Sequence, residues 1–347
     1  MKARAAVLSE FSKEMSIQEI DIKEPHGEAV LIKILGAGVC GSDVEIWKGN
    51  IVREGFKFPF VLGHENVGEI VEVGESVKNL KPGDKVIVYA VWGDMYCNFC
   101  LEGRFNLCIN MAVPGQSYFY GGFSEFMYID SYRFLHKLNG NNVVDFAPIA
   151  DAGTTSYSAV KKALNEIGNR VDSAVIVYGV GGIALYTIQI LKVLSPNIPV
   201  IAVSRKETKL TFAEKLGADY AINPDEMEQF VKQITSKDGK ISAIDLVGSD
   251  ESLGNIGKSL GDRVNSSIIL VGLYGQEARF RIFDLVGSEK KIIGSNYGTM
   301  LDFKDATNLL EHRKIKSLVV RHNLNDVNFA MKEIQEGIEI GRHVLTP

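Results

Sequence analysis

From Ala174 to Leu191 the chain carries no charged residue, yet Gly179, Gly181 and Gly182 interrupt this run just after the strand-like segment AVIVY. A membrane-spanning helix needs about 20 predominantly apolar residues, and each interior glycine weakens a helix by roughly 1 kcal/mol. The segment therefore reads as a buried strand, a tight turn and a helix, and not as a span. A strand that is apolar on both faces belongs inside a parallel sheet with helices on either side. The same rhythm recurs in PVIAVS with ETKLTFAEKLG, in AIDLVG with ESLGNIGKSL, and in SSIILVGLYG. A doubly wound parallel sheet over residues 154–287 is the expectation.

Before about residue 150 the pattern is different. ARAAVL, EAVLIKILGAGV, VGEIVEVG and DKVIVYAV are short, rich in β-branched residues and bounded by Gly, Pro and Asp. They predict an antiparallel or barrel-like β domain. A length of 347 residues suits two domains, and no low-complexity linker separates them, so a shared cleft is expected. The 38 Lys and Arg are outnumbered by 43 Asp and Glu, giving a net charge of −5 spread along the chain. That distribution argues against a nucleic-acid partner. MKARAAVLSEF holds no apolar run of signal-peptide length. With no span either, the chain is expected in the cytoplasm, acting on a small molecule and not at a membrane.

Three groups of residues carry chemistry. Gly179, Gly181 and Gly182, with Ala184 behind them, form G-x-G-G-x-A between a strand and a helix. Glycine there lets the backbone approach a pyrophosphate at the free N–H groups of a helix start. At the end of the next strand stand Ser204, Arg205 and Lys206, where an acidic residue would hold the ribose hydroxyls of NAD. A guanidinium there suits a 2′-phosphate, so NADP is favoured, with NAD possible. The segment Asp94, Cys97, Cys100, Cys108 has the spacing D-x2-C-x2-C-x7-C, which suits a closed tetrahedral zinc site. Cys40 in GVCGSD and His64-Glu65 in LGHENVG are further candidate ligands, and each alone also fits an ordinary core or hydrogen-bonding role.

The order GVCGSD, GHE, the cysteine lobe, ADAGTTSY and VYGVGGIA resembles the zinc-dependent medium-chain alcohol and sugar dehydrogenases over nearly the whole chain. Stretches such as VYAVWGD, GGFSEFM, YTIQILK and GSNYG are most like the archaeal D-arabinose 1-dehydrogenases of that family. The resemblance implies a GroES-like β-barrel catalytic domain, residues 1–153 completed by 288–347, with the Rossmann domain inserted between. It implies two zinc ions per chain: a catalytic one on Cys40, His64 and Asp151 with Glu65 beside it, and a structural one on Asp94, Cys97, Cys100 and Cys108. Asp151 would equally cap the helix that follows. Ser42 matches the hydroxyl that takes the substrate proton, and it too would serve as a helix cap. Glu45 stands where many relatives pass the proton to a histidine. Val271, Gly272, Leu273, Ser295 and Asn296 match the segments near nicotinamide, and Arg342 matches an arginine that reaches the pyrophosphate. Trp92, Tyr118 and Tyr297 are candidates for the substrate side, or else core aromatics.

The implied reaction is hydride transfer from an aldopentose to NADP. A primary or secondary alcohol dehydrogenase is the nearer alternative, and a non-catalytic zinc-loop redox sensor the more distant one. Family likeness also implies a homodimer or homotetramer through the edge of the Rossmann sheet.

Overall fold

All six residues of the strand Ser173–Tyr178 are buried, as its uncharged sequence requires. The computed structural model describes residues 1–140, 142–275, 277–337 and 341–347. One unit comprises Met1–Thr154, Thr299–Arg313 and Ser317–Pro347, and the other comprises Thr155–Gly298 and Lys314–Lys316. No helix among the described residues is long and apolar enough to cross a membrane.

The second unit is built on a six-stranded parallel sheet. Ser173–Tyr178 lies at its centre between Val200–Val203 and Lys240–Asp245. Tyr220–Ile222 lies outside the former, and Ser267–Leu270 and then Lys291–Gly294 lie outside the latter. In chain order this is 3-2-1-4-5-6, and the winding reverses between the first and fourth strands. Ile176, Ile201, Val203, Ile241, Ala243, Leu253 and Ile256 belong to one buried cluster that joins sheet and helix. The strand ends are held by Asp245, whose carboxylate accepts the N–H groups of Val247 and Gly248 and the hydroxyl of Ser252.

The other unit is mostly antiparallel. A seven-stranded sheet runs Val319–Asn323, Arg342–Thr346, Val30–Gly38, Glu65–Val73, Lys85–Val88, Leu135–Lys137, with Phe126–Ile129 also pairing Val30–Gly38. Register shifts at Leu31/Ile32 and Ile34/Gly36 mark an extra residue on each strand in turn, Val71 on the partner and Leu35 on Val30–Gly38, where the pair bends. The first half of Val30–Gly38 can thus pair with Phe126–Ile129 and its end with Arg342–Thr346. A three-stranded sheet, Ser16–Asp21, Lys2–Leu8 and Phe60–Val61, completes the unit.

The return to the first unit comes later than the expected residue 288. Lys291–Gly294 pairs in parallel with Ser267–Leu270 and so belongs to the second sheet. The chain crosses back at Thr299, which caps the helix Met300–Glu311 through its hydroxyl while Asp302 accepts the Thr299 N–H.

Candidate active site

Gly38 and Glu65 are partners across two antiparallel strands, so the end of one strand lies beside the start of the next. Past Gly38 the chain turns at Cys40 into the helix Gly41–Trp47. Cys40, not Ser42, is the N-cap: its backbone is extended, and its N–H donates to the Asp43 carboxylate at 2.8 Å. Ser42 sits inside the first turn. Asp151 comes from a third place, the junction between the 3-10 turn Val144–Ala150 and the helix Ala152–Ile167.

These segments bring Cys40, His64, Glu65 and Asp151 together, with one ligand atom of each within 4.8 Å of the others. Asp151 Oδ2 lies 3.2 Å from His64 Nε2 and 3.6 Å from Cys40 Sγ. Ser42 Oγ is 3.5 Å from the same Nε2. On the far side of the ring Nδ1 faces Asp43 Oδ1 at 3.1 Å, where a carboxylate accepts its proton and leaves the Nε2 lone pair aimed at the cluster. Glu65 is fully buried. Its Oε1 pairs with the Arg342 guanidinium, and its Oε2 has no hydrogen-bond partner. A Cβ on Gly38 would come within 2.1 Å of that oxygen, so only glycine leaves the carboxylate room.

The electrostatics ask for a cation. Burial pushes the Glu65 carboxyl up to about 7, against the pull of Arg342. Burial alone would depress His64, but the charge of the Asp43 carboxylate, then hydrogen bonds that the ring would donate to Asp151 and Asp43, outweigh it and push the metal-free imidazole well above its ordinary range. Thiolate, imidazole and carboxylate converging on one point are a donor set that fits zinc.

The cysteine lobe forms a second cluster. Ligand atoms of Asp94, Cys97, Cys100 and Cys108 all lie within 4.8 Å of one another. Backbone N–H groups of Asp94 and Asn110 point at Cys108 Sγ, each at 3.3 Å. The backbone N–H of Cys97, helped by that of Tyr96 and by the side-chain amide of Asn110, holds the Asp94 carboxyl well below the usual range. Burial pushes the Cys100 and Cys108 thiols up. A Cβ on Gly93 would stand 2.5 Å from Cys100 Sγ, so the backbone is shaped around the sulfur. Three thiols and a carboxylate that closely packed fit a tetrahedral ion with no open position. These are the two metal-type clusters among the described residues.

In the second unit Gly179 has φ +94°, and a Cβ there would meet Val247 Cγ2 at 2.6 Å. A Cβ on Gly181 would meet nothing within 4 Å, so its backbone is open to a close-lying ligand. Gly182 shares the turn, and the helix Ala184–Leu194 begins behind it. Ser204, Arg205 and Lys206 link the strand Val200–Val203 to the helix Glu207–Lys215. Arg205 is 77% exposed, 3.7 Å from Glu251. Val271 and Gly272 both donate N–H to the Asp245 carbonyl. Leu273 is exposed, as is Asn296, and Ser295 accepts a bond from Lys162 at 3.0 Å.

The family described as alcohol dehydrogenase GroES-like domain matches residues 26–140, and the zinc-binding dehydrogenase family matches residues 182–312. The chain belongs to the zinc-binding dehydrogenases. It is 47% identical over 347 residues to the D-arabinose 1-dehydrogenase (NADP(+)) of Saccharolobus solfataricus, covering 100% of this chain and 98% of that one. An NAD-dependent alcohol dehydrogenase of the same organism is 33% identical over 353 residues, covering 99% and 100%. The crystal structure of the D-arabinose dehydrogenase from Sulfolobus solfataricus matches with a TM-score of 0.89 at 43% identity, covering 100% of both chains. The β-rich unit is accordingly the GroES-like domain of a zinc-dependent NAD(P)-linked dehydrogenase, and the parallel unit is its Rossmann domain.

Several residues occupy places that the dehydrogenase pattern alone does not predict. Trp92 belongs to the core: it is 2% exposed, stacked on Phe134 at 5.1 Å, and its indole N–H donates to the Tyr89 carbonyl. Of the two places the sequence allowed it, this is the core one. Arg342, expected at the pyrophosphate, is buried against Glu65. Tyr118 is half exposed with φ +54°, and Tyr297 is partly buried with φ +48°. Glu45 bonds Lys48 and Asn50 at 3.0 and 2.7 Å; the Asn50 bond pulls its carboxyl down, as suits a local tie rather than a relay. Asp43 is the functional residue that sequence reading misses. Its signal was present, an acid three residues after a ligand cysteine, but a helix start explains that equally well. Asp43→Asn keeps the shape and removes the charge behind His64. Zinc affinity or kcat/KM should fall by about 10–100-fold, measured by metal analysis and steady-state assay; unchanged values of both would remove Asp43 from the site.

Proposed function

We propose that this dehydrogenase oxidises the anomeric hydroxyl of a D-arabinose-like aldopentose, passing hydride to NADP and releasing a lactone. The observation that carries the reading is the joining of Cys40, His64, Glu65 and Asp151 with the Ser42 hydroxyl at His64 Nε2. Cys40, His64 and Asp151 would hold the catalytic zinc, with Glu65 as a neighbouring carboxylate. Bound there, zinc acts as a Lewis acid that lowers the pKa of the substrate hydroxyl. Ser42 takes the hydroxyl proton. With the nicotinamide cofactor bound, the electron pair of the C1–H bond would leave as hydride for its ring as the C1–O bond becomes a carbonyl. Asp43 keeps His64 in the tautomer that presents Nε2, and Arg342 keeps Glu65 from drifting out of the cluster.

On the cofactor side Gly179, Gly181 and Gly182 would accept the pyrophosphate, and Val271, Gly272, Leu273, Ser295 and Asn296 the nicotinamide end. Ser204, Arg205 and Lys206 would read the 2′-phosphate. The exposed guanidinium of Arg205 and the absence of a carboxylate in this tripeptide support NADP over NAD. The nearer alternative, oxidation of a simple alcohol, draws support from the 33% identical relative. A redox sensor would have no use for an open metal position beside a serine hydroxyl.

Three measurements test this reading. Metal analysis should return two zinc ions per chain, and Cys100→Ser should lower the melting temperature while the turnover of the folded fraction stays within about twofold, because that site is closed. One zinc at saturation would overturn it. Arg205→Ala should raise the KM for NADP by about tenfold and leave NAD and kcat nearly unchanged, the contact being charge-assisted but solvent-exposed and remote from the hydride. Equal losses for both cofactors would exclude the assignment. A homodimer or homotetramer is part of the proposal. Among the described residues no strand pairs with the outer edge of Lys291–Gly294, and Leu273, Tyr274, Ile282, Phe283 and Val286 are all more than 70% exposed in the same unit. Sedimentation should give a mass of two or four chains, and a monomer would refute it.

A further inference from the structure

Gln116 is fully buried and lies against the catalytic serine. Its Nε2 is 3.0 Å from Ser42 Oγ and 3.1 Å from His64 Nδ1, while its Oε1 accepts the Nε–H of Arg53 at 2.9 Å. Arginine only donates, so Arg53 settles which end of the amide is which. His64 Nδ1 gives its proton to Asp43, which leaves Ser42 Oγ as the acceptor for the amide N–H. The orientation of the proton-accepting hydroxyl is therefore fixed by a guanidinium two bonds further out.

The two loops that supply this chain are closely packed at their glycines. Gly55, at φ +81°, lies under the Tyr118 ring, where a Cβ would come within 2.4 Å. Gly115, at φ +80°, lies on the Gly63 carbonyl, where a Cβ would come within 2.7 Å. Arg53 is half-buried, and no carboxylate pairs with it among the described residues. A guanidinium in that state uses one N–H on Gln116 and has others left in a planar fork. An alkyl alcohol offers that fork nothing, whereas neighbouring hydroxyls on a ring offer it paired acceptors.

We propose that Arg53 is the specificity residue for a vicinal hydroxyl next to the oxidised carbon, and that Gln116 is a positioning residue linking that recognition to Ser42. The inference rests on the sugar-oxidising reading but is tested apart from it. The zinc-loaded enzyme, Arg53→Leu, Arg53→Lys and Gln116→Leu are assayed with trans-1,2-cyclohexanediol, cyclohexanol and D-arabinose, with zinc content and melting temperature measured for each. The unmodified enzyme should prefer the diol to cyclohexanol. Arg53→Leu should lower kcat for all three substrates alike, by releasing the Gln116 amide, and should lose a further ten- to hundredfold or so in kcat/KM, chiefly through KM, for the diol and D-arabinose alone. Arg53→Lys should fall between. Gln116→Leu should lower kcat for all three with zinc content and KM retained. An equal loss on diol and mono-ol in Arg53→Leu, or no loss on the diol, overturns the role of Arg53. A Gln116→Leu enzyme with normal kcat overturns the positioning role. Diol preference that depends on Arg53, with D-arabinose inert, would retain the inference and reject the pentose.

Discussion

Five groups with acidic or electron-rich character, Cys40, Asp43, His64, Glu65 and Asp151, are buried together in one wall of the GroES-like domain. Removing charges from water costs several kcal/mol each unless counter-charges lie among them. The chain builds in one permanent counter-charge, the Arg342 guanidinium on Glu65; the His64 ring between Asp43 and Asp151 carries a second proton only while no metal takes its Nε2 lone pair. The rest of the positive charge is a metal's to supply, and this need explains why the surroundings are so exact. Gly38 is bare so that Glu65 has space, the Cys40 N–H locks Asp43, and Asp43 locks the histidine ring. A small displacement in any of these would leave a buried charge without its partner.

The Rossmann domain answers a different demand, room for a large anion beside backbone N–H groups. Glycines create that room by close approach elsewhere. Gly248, at φ +69°, lies where a Cβ would come within 2.0 Å of the Gly272 carbonyl, and Gly179 lies against Val247. The loops at the carboxyl ends of the central strands are thereby drawn onto one another, tied by Asp245, while the Gly181 backbone stays open. Close contact between loops and open space at the turn come from the same residue type. In the proposed reading, binding on this side would depend on the backbone, and side chains such as Arg205 would add selectivity at the exposed margin.

Much of this was legible in the residues. The uncharged run with its glycines foretold the parallel sheet, and the D-x2-C-x2-C-x7-C spacing foretold a cluster that does close within one lobe. The dispersed triad of Cys40, His64 and Asp151 was legible only through family resemblance, since its members are separated by 24 and 87 positions and nothing local joins them. The least legible parts were the neighbours: Asp43 behind His64, Arg342 on Glu65, Gln116 between Ser42 and Arg53, and Trp92 turned into the core.

The sequence by itself determined the elements and the chemistry each could offer, because strand and helix periodicity, turn glycines and ligand spacing act over a few residues. It also determined where NADP selectivity would be sought, at the end of one strand. Only the tertiary structure decided which charge faces which. Partners for buried groups are set by strand register and loop contacts between distant segments, as when Gly38 pairs with Glu65 and the late strand Arg342–Thr346 joins the same sheet. The handover at Thr299 has the same origin, since the pairing of Lys291–Gly294 is a long-range fact that no local pattern announces.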